Sequence, residues 1–319
     1  KKVCVCGGAG FIGSNLIEGC LKKGWDVINV DDLSTGHDEM ADPIRVMDLP
    51  GSYAFVKMDI NETERLAEVM RGCEVVFLLA ALPRVSFSVE NPLKSHQANA
   101  TGTLSVLQAS RLAGVKRVIF SCSSSVFGGV SVWPTPEETP MKPISPYALQ
   151  KATGLEYCRL YSELYGLETV SLLYYNVFGR LQRSDSAYAT VIPAFFEAAV
   201  KGTSCRIDGD GLQSRDFCHI DNVVQANILA ATHKEKMLGE KFNIANGETH
   251  SVLDVFEAVK DLMGVDLQKH HVAARLGDPR KSHANVSRAK QILLYDPQIG
   301  FLDGMAETAN WWKAGCPIR

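Results

Sequence analysis

Along the first half of the chain, short apolar runs alternate with stretches whose apolar residues recur every three or four positions. The runs at 3–6, 26–30, 55–58, 75–79, 115–121 and 170–175 have the length of buried strands. The stretches at 11–22, 63–70, 98–112 and 146–165 have the period of helices. Runs that are apolar at consecutive positions belong to strands covered on both faces, and strand–helix alternation marks a parallel sheet. The sequence therefore predicts an α/β fold with a doubly wound parallel sheet. The second half is less regular. Helices are predicted at 191–201, 222–232, 252–263 and 302–312, between loops such as Asp208-Gly209-Asp210-Gly211 and Arg275-Leu276-Gly277-Asp278. No repeat, low-complexity tract or Pro/Ser linker separates the halves, so they are expected to pack closely around a cleft at the carboxyl ends of the strands.

Composition narrows this picture. The chain has 319 residues, 46% of them hydrophobic, which suffices for a large core. Its 33 basic and 36 acidic residues give a net charge of −3, without the basic excess of a nucleic-acid or membrane-surface binder. An anionic ligand must then be held by a few placed groups. Nine cysteines are present, an odd number with no Cys-x-x-Cys, and Cys4 and Cys6 lie in an apolar run. They are expected to be reduced core thiols, with no metal site and a cytoplasmic location. No signal peptide and no apolar run of membrane-spanning length is read in the sequence.

The first predicted strand runs into Gly7-Gly8-Ala9-Gly10-Phe11-Ile12-Gly13 and then a helix. Glycines there permit a tight turn and let backbone N–H groups approach a pyrophosphate at the helix N-terminus. Asp31 ends the second predicted strand, 18 residues beyond Gly13. That is close to the ~20 expected for a carboxylate on the adenosine ribose. A carboxylate there repels a 2′-phosphate, so NAD is favoured over NADP. Strand, glycine loop, helix and acid together predict a Rossmann-type dinucleotide site. Asp59 and Ile60 follow the third strand, where Asp59 either meets the adenine or caps the next helix.

Tyr147 and Lys151 lie four apart on a helix opened by Ser145-Pro146, hence on one face. An ammonium beside a phenol favours the phenolate, and a phenol that shuttles a proton suits alcohol oxidation by NAD. The run Ser121-Cys122-Ser123-Ser124-Ser125 ends a strand at the same sheet edge as the glycine loop. A hydroxyl there can donate to an oxygen becoming a carbonyl.

These residues together resemble the extended short-chain dehydrogenase/reductases. Tyr174-Tyr175-Asn176-Val177-Phe178-Gly179, Tyr188-Ala189-Thr190-Val191-Ile192-Pro193 and Arg215-Asp216-Phe217 are similar to the UDP-hexose 4-epimerases among them. The resemblance spans nearly the whole chain. It implies Ser123, Tyr147 and Lys151 as catalytic residues. It implies a cofactor site of Gly7, Gly10, Phe11, Ile12, Gly13, Asp31, Asp32, Asp59, Ile60, Leu79, Ala80, Ala81 and Asn99, with Tyr147 and Lys151. Residues 1–175 with 216–248 would form the NAD-binding domain. A smaller α/β substrate-binding lobe would comprise 176–215 and 249–319.

For the substrate, the resemblance implies that Arg215 and Arg275 clamp a UDP diphosphate, with Asn176 on a phosphate oxygen and Asp278 on the uridine ribose. Arg84, Ser124, Ser125 and Val191 would line the same site. Related dehydratases carry Asp-Glu at 124–125, and UDP-glucuronate decarboxylases carry Glu at 125. Serines there argue against elimination and decarboxylation. Ser282 aligns with a gate where a Tyr restricts some epimerases to UDP-glucose and UDP-galactose. A small residue leaves room for an N-acetyl group, which makes UDP-GlcNAc/UDP-GalNAc the preferred pair. Phe127, Leu173 and Leu181 depart from the usual Tyr, Arg and Arg. A UDP-glucuronate 4-epimerase, with Arg180 or Arg183 facing the uronate, is the second reading. A non-catalytic dinucleotide sensor is the third, against which Tyr147 and Lys151 stand. The family's dimeric four-helix bundle implies a homodimer through 98–112 and 146–165, whose apolar faces include Leu104, Leu107, Leu155 and Leu160.

Overall fold

The structure, a computed structural model, describes residues 1–184, 189–274 and 279–318. The strands are β1 (Lys2–Cys6), β2 (Asp26–Asp31), β3 (Tyr53–Lys57), β4 (Val75–Leu78), β5 (Arg117–Ser123), β6 (Glu168–Tyr174), β7 (Asn176–Phe178), β8 (Cys205–Asp208), β9 (Ser214–Arg215), β10 (Phe217–His219), β11 (Leu238–Ile244), β12 (His250–Ser251) and β13 (Lys269–Val272). The helices are α1 (Phe11–Lys22), α2 (Asp38–Ala41), α3 (Thr63–Met70), α4 (Val85–Glu90), α5 (Pro92–His96), α6 (Gly102–Ala113), α7 (Pro146–Tyr165), α8 (Val191–Lys201), α9 (Ile220–Thr232), α10 (Val252–Met263) and α11 (Phe301–Lys313). Seven strands form one parallel sheet in the order β11-β6-β5-β4-β1-β2-β3. The order reverses between β1 and β4, and a crevice opens at the carboxyl ends there.

Both faces of this sheet are covered, which is why its strands read as continuous apolar runs. Val3 and Val5 of β1 join α1 and α9 in one cluster, through Leu16, Ile17, Val223 and Ala226. Cys4 and Cys6 point the other way, into a cluster with Leu66 of α3, Val106 and Leu107 of α6 and Leu155 of α7. A third core joins Phe195 and Phe196 of α8, Phe256 and Val259 of α10, and Phe301 and Met305 of α11 over Ile207 of β8. β13 pairs in parallel with β8 at its side. All nine cysteines are free thiols, eight of them buried. No helix among the described residues is long and apolar enough to cross a membrane.

Helices α1, α3, α7, α8 and α10 coincide with the predicted spans, and the other boundaries shift by a residue or two. The helix predicted at 98–112 opens with a wide turn over Gln97–Thr101 before α6 begins. β11 has no counterpart in the pattern. It is an edge strand with a register shift between Leu238 and Glu240, and its first half is not buried. Leu107 and Leu155, named above on a prospective dimer face, are core residues of this chain. Leu104 and Leu160 are half-buried.

The carboxyl ends of β5 and β6 are held in register from their opposite ends. Arg117 and Glu168 are paired partners at the strand starts, and both are buried. The Arg117 Nε donates to Glu168 at 2.9 Å. The rest of the guanidinium donates to the carbonyls of Ala230, His233 and Glu235 at 2.8, 2.9 and 3.0 Å, closing the carboxyl end of α9. Removing one partner leaves the other as an uncompensated buried charge. Glu168→Ala is therefore expected to lower unfolding free energy by ~3–5 kcal/mol in urea denaturation. A loss below ~1 kcal/mol would show that the pair does not hold this edge of the sheet.

Candidate active site

The cofactor crevice begins with the turn after β1. Gly7 adopts φ +88°, and a Cβ there would sit 2.5 Å from the Ala80 nitrogen, so only glycine lets the turn pass the end of β4. Gly10 caps α1, whose first turn carries no acidic side chain. A Cβ on Gly10 would meet only the Gly7 oxygen, at 3.6 Å, and Gly10 lines the crevice. That open space over the N-terminal N–H groups of α1 fits a pyrophosphate. Asp31 ends β2, and its Oδ2 accepts from Ala9 N and its Oδ1 from Leu33 N, both at 2.9 Å. Burial pushes its carboxyl up while these two bonds pull it down. Each oxygen keeps a lone pair, so one carboxylate fixes the glycine loop and can still accept from a ribose.

These walls enclose a cavity of about 780 Å³. Gly7, Gly10, Phe11, Ile12, Gly13, Asp31, Asp32, Asp59, Ile60, Leu79, Ala80, Ala81, Arg84, Tyr147 and Lys151 all line it. Asp59 also caps the following turn, accepting from Asn61 N at 2.9 Å. Asn99, expected at the cofactor, stands behind the wall. Its Oδ1 accepts from Leu82 N at 2.7 Å, and its Nδ2 reaches Leu82 O at 3.1 Å and Gln150 Oε1 at 2.8 Å. It is wholly buried, and it fastens the loop after β4 to α7. Sequence reasoning passed over Ser34, Thr35, Gly36 and His37, which also line the cavity. The signal for them was a run of small and polar residues directly after the Asp31 acid.

Ser145 caps α7 by accepting from Ala148 N at 3.1 Å, and Pro146 follows at its first position. The orphan Tyr147 N–H donates to the Ser88 hydroxyl at 3.1 Å, which locks the start of α7 against α4. Tyr147 and Lys151 are both buried beside the end of β5. Burial pushes the Tyr147 phenol up to about 12, against a lowering by the Ser123 hydroxyl and by Arg84. Burial also pushes Lys151 down to about 8. Its Nζ donates to the Ser121 carbonyl at 2.7 Å. The expected phenol-lowering ammonium is thus directed at the strand, and desolvation outweighs charge attraction at both groups.

Ser123 accepts from Ser125 N at 3.2 Å and from the Ser125 hydroxyl at 2.9 Å. Two accepted bonds leave its own O–H to donate elsewhere, and the phenol of Tyr147 is the partner that it lowers. Ser124 is half-buried on the same turn. The Ser282 hydroxyl donates to Asn176 Oδ1 at 3.4 Å, and neither residue lines the cavity. Val191 opens α8. Arg215 is half-buried on β9, its Nη1 donating to the Ser214 carbonyl at 2.9 Å. Arg275 and Asp278 lie outside the described residues. Next to Arg215, the wholly buried Asp216 accepts from Asn246 N at 2.9 Å, Gly247 N at 3.2 Å and Ala284 N at 3.1 Å. Burial pushes its carboxyl up to about 7. Arg180, a candidate for a uronate, is engaged by Asp221, Glu307 and Glu18 at 2.9, 3.3 and 3.6 Å and does not line the cavity.

A UDP-glucose 4-epimerase of Mycolicibacterium smegmatis is 34% identical to this chain, covering 98% of each. A UDP-N-acetylglucosamine 4-epimerase of Methanobrevibacter ruminantium, solved with UDP-N-acetylmuramic acid, superposes with a TM-score of 0.91 at 34% identity, over 99% of both chains. A UDP-glucuronic acid 4-epimerase of Bacillus cereus, solved with UDP-glucuronic acid and NAD, gives 0.90 at 28% identity, over 98% of this chain and 99% of that one. The family model of NAD dependent epimerases and dehydratases matches residues 3–245, which contain the glycine loop, Asp31, Ser123, Tyr147 and Lys151. With the nucleotide crevice, the buried tyrosine–lysine pair and these likenesses agreeing, the chain belongs to the NAD-dependent epimerase/dehydratase family.

Proposed function

We propose that the protein is an NAD-dependent 4-epimerase of UDP-sugars, acting on UDP-GlcNAc/UDP-GalNAc in preference to UDP-glucose/UDP-galactose. The observation that carries the reaction is that Tyr147 and Lys151 stand on the wall of a dinucleotide crevice, with the Ser123 hydroxyl as hydrogen-bond partner of the Tyr147 phenol. Tyr147 takes the proton of the sugar's C4 hydroxyl, and Ser123 donates to the oxygen as it becomes a ketone. NAD, when bound, would accept the C4 hydride and give it back to the opposite face of the ketone, and its positive ring would favour the phenolate. Arg215, with Arg275, keeps the UDP fixed while the 4-keto sugar turns over. Tyr147 then returns the proton, and C4 carries the opposite configuration. In this assignment residues 1–175 with 216–248 hold the cofactor and 176–215 with 249–319 the sugar nucleotide, with Leu181, Gln182 and Arg183 reaching across to the cofactor cavity.

The preference for an N-acetylated sugar rests on Ser282, a small residue hydrogen-bonded to Asn176. Arg180, one of the two candidate cations for a uronate, already serves three carboxylates and does not line the cavity, which weighs against the glucuronate reading. Nine unpaired thiols suit a reducing compartment, the cytoplasm. A homodimer through α6 and α7 fits Leu112, Leu149 and Leu164, which are 54%, 57% and 67% exposed on them.

Tyr147→Phe is expected to lower kcat by at least ~10²–10⁴-fold while UDP binding is retained, measured by NMR of the product and by calorimetry. Full activity in that variant would remove Tyr147 from the chemistry. The phenol's position near 12 also sets a titration. In NAD-free protein, the ultraviolet difference between wild type and Tyr147→Phe should show no tyrosinate at neutral pH, and NAD should bring its onset to lower pH. A tyrosinate band at neutral pH without NAD would contradict the burial argument.

UDP-GlcNAc, UDP-glucose and UDP-glucuronate assayed side by side test the substrate. Ser282→Tyr should cut use of UDP-GlcNAc roughly 10–100-fold relative to UDP-glucose. Turnover of UDP-glucuronate alone would overturn the assignment. Light scattering is expected to give the mass of two chains, and Leu164→Glu to halve it. A monomeric wild type would exclude the dimer.

A further inference from the structure

The chain crosses the cofactor crevice at residues 180–183, and each of these four residues makes a different attachment. The Arg180 carbonyl accepts from Asn15 Nδ2 of α1 at 3.2 Å, and its guanidinium lies 3.6 Å from Glu18 of the same helix. Leu181 adopts φ +67°, a conformation that a leucine seldom takes. The turn buries its side chain among Ala9 of the glycine loop, Met40 of α2 and Trp311 of α11. Gln182 donates to Val177 O at 3.1 Å and to the Thr190 hydroxyl at 3.3 Å. Arg183 forms an ion pair with Glu39 of α2. Leu181, Gln182 and Arg183 all line the cofactor cavity. The strap thus touches the glycine loop and α1, which would meet a dinucleotide's pyrophosphate, and α2, which follows the strand that ends at Asp31.

We propose that Arg183, held by Glu39, is the residue that retains NAD between turnovers. The proposal rests on the cofactor reading above. An epimerase returns its hydride to the same substrate, so NAD is regenerated in place while sugar nucleotides exchange past it. Retention therefore needs a closure on the cofactor side that does not open with each substrate. The Arg183–Glu39 pair bridges α2 and the strap across the crevice. Glu39 occupies one side of a five-donor guanidinium, which leaves donors for a phosphate oxygen of the dinucleotide. Arg183 and Glu39 are 29% and 46% exposed, so the pair adds little to global stability, and its loss acts locally.

The test measures release of NAD from purified, NAD-loaded protein into buffer containing an enzyme that destroys free NAD. Thermal unfolding of the NAD-free forms serves as a check on the fold. Arg183→Ala should release NAD at least tenfold faster than wild type, with unchanged unfolding of the NAD-free protein. Glu39→Ala should accelerate release in the same direction, and the exchange Arg183→Glu with Glu39→Arg should recover part of the retention lost in Arg183→Glu alone. Wild-type release from Arg183→Ala overturns the proposal, as does wild-type release from Glu39→Ala. Wild-type protein that binds no NAD overturns the cofactor reading itself, which separates the two failures.

Discussion

The contact between the glycine loop and the end of β4 sets the position of everything else in the site. Strand order reverses between β1 and β4, so their connections part toward opposite faces of the sheet. Gly7 lies so close to the Ala80 backbone that no side chain fits between them. The crevice floor is therefore made by two adjacent strand ends, and its sides by the loops that leave them. Asp31, one strand further out, holds the near loop through Ala9. Asn99 holds the far loop through Leu82. One carboxylate and one amide thus keep open a space whose location the strand order has already chosen.

Burial then decides the resting chemistry. Tyr147 moves toward its protonated form and Lys151 toward its neutral form, because each charged state loses solvation at the same wall. With the Lys151 ammonium facing the Ser121 carbonyl, the groups that pull the phenol down are Ser123 and Arg84. At neutral pH the phenol is accordingly protonated, while Lys151, near 8, keeps its ammonium. In the proposed reaction, a positively charged nicotinamide held beside the phenol would lower it again, which would tie proton abstraction to the presence of the hydride acceptor. The same desolvation that raises the resting phenol also strengthens its response to a nearby cation, since charge attraction grows as solvent screening falls.

What the sequence discloses and what it hides follow from how local each device is. The strands of the first half are legible because both faces are buried, and α7 is legible because Ser145-Pro146 marks its start. The glycine loop and Asp31 are legible because their spacing is fixed by one βαβ unit. Asn99 shows the limit. A buried asparagine near a cofactor wall looks like a ligand, but its partners Leu82 and Gln150 come from distant segments that only the fold assembles. Lys151 shows another. Helical spacing puts it on the face of Tyr147, but spacing does not reveal the Ser121 carbonyl that captures its ammonium. β11 escapes notice because an edge strand with a register shift needs only its second half apolar.

The region around Arg215 and Ser282 is assembled almost wholly from long-range contacts, and Asp216 explains how such a patchwork stays ordered. Its carboxylate accepts backbone N–H groups from 246, 247 and 284, so the turn after β11 and the segment after Ser282 converge on one buried anion beside Arg215. Backbone donors carry partial charges and stay where the chain puts them, so they fix loop positions without the rotamer freedom of an arginine or lysine partner. Glycine in the segment suits this, since Gly247 at φ +83° can turn its N–H toward the carboxylate. Burial of the anion costs solvation, which is why the carboxyl is pushed up to about 7 despite these bonds. The cost is tolerated because Ser282 and Asn176 depend on the same convergence: the Ser282 N–H is held by the Ser214 carbonyl, one residue before Arg215 and two before Asp216. The position of Ser282 is therefore set by a buried carboxylate that faces the backbone.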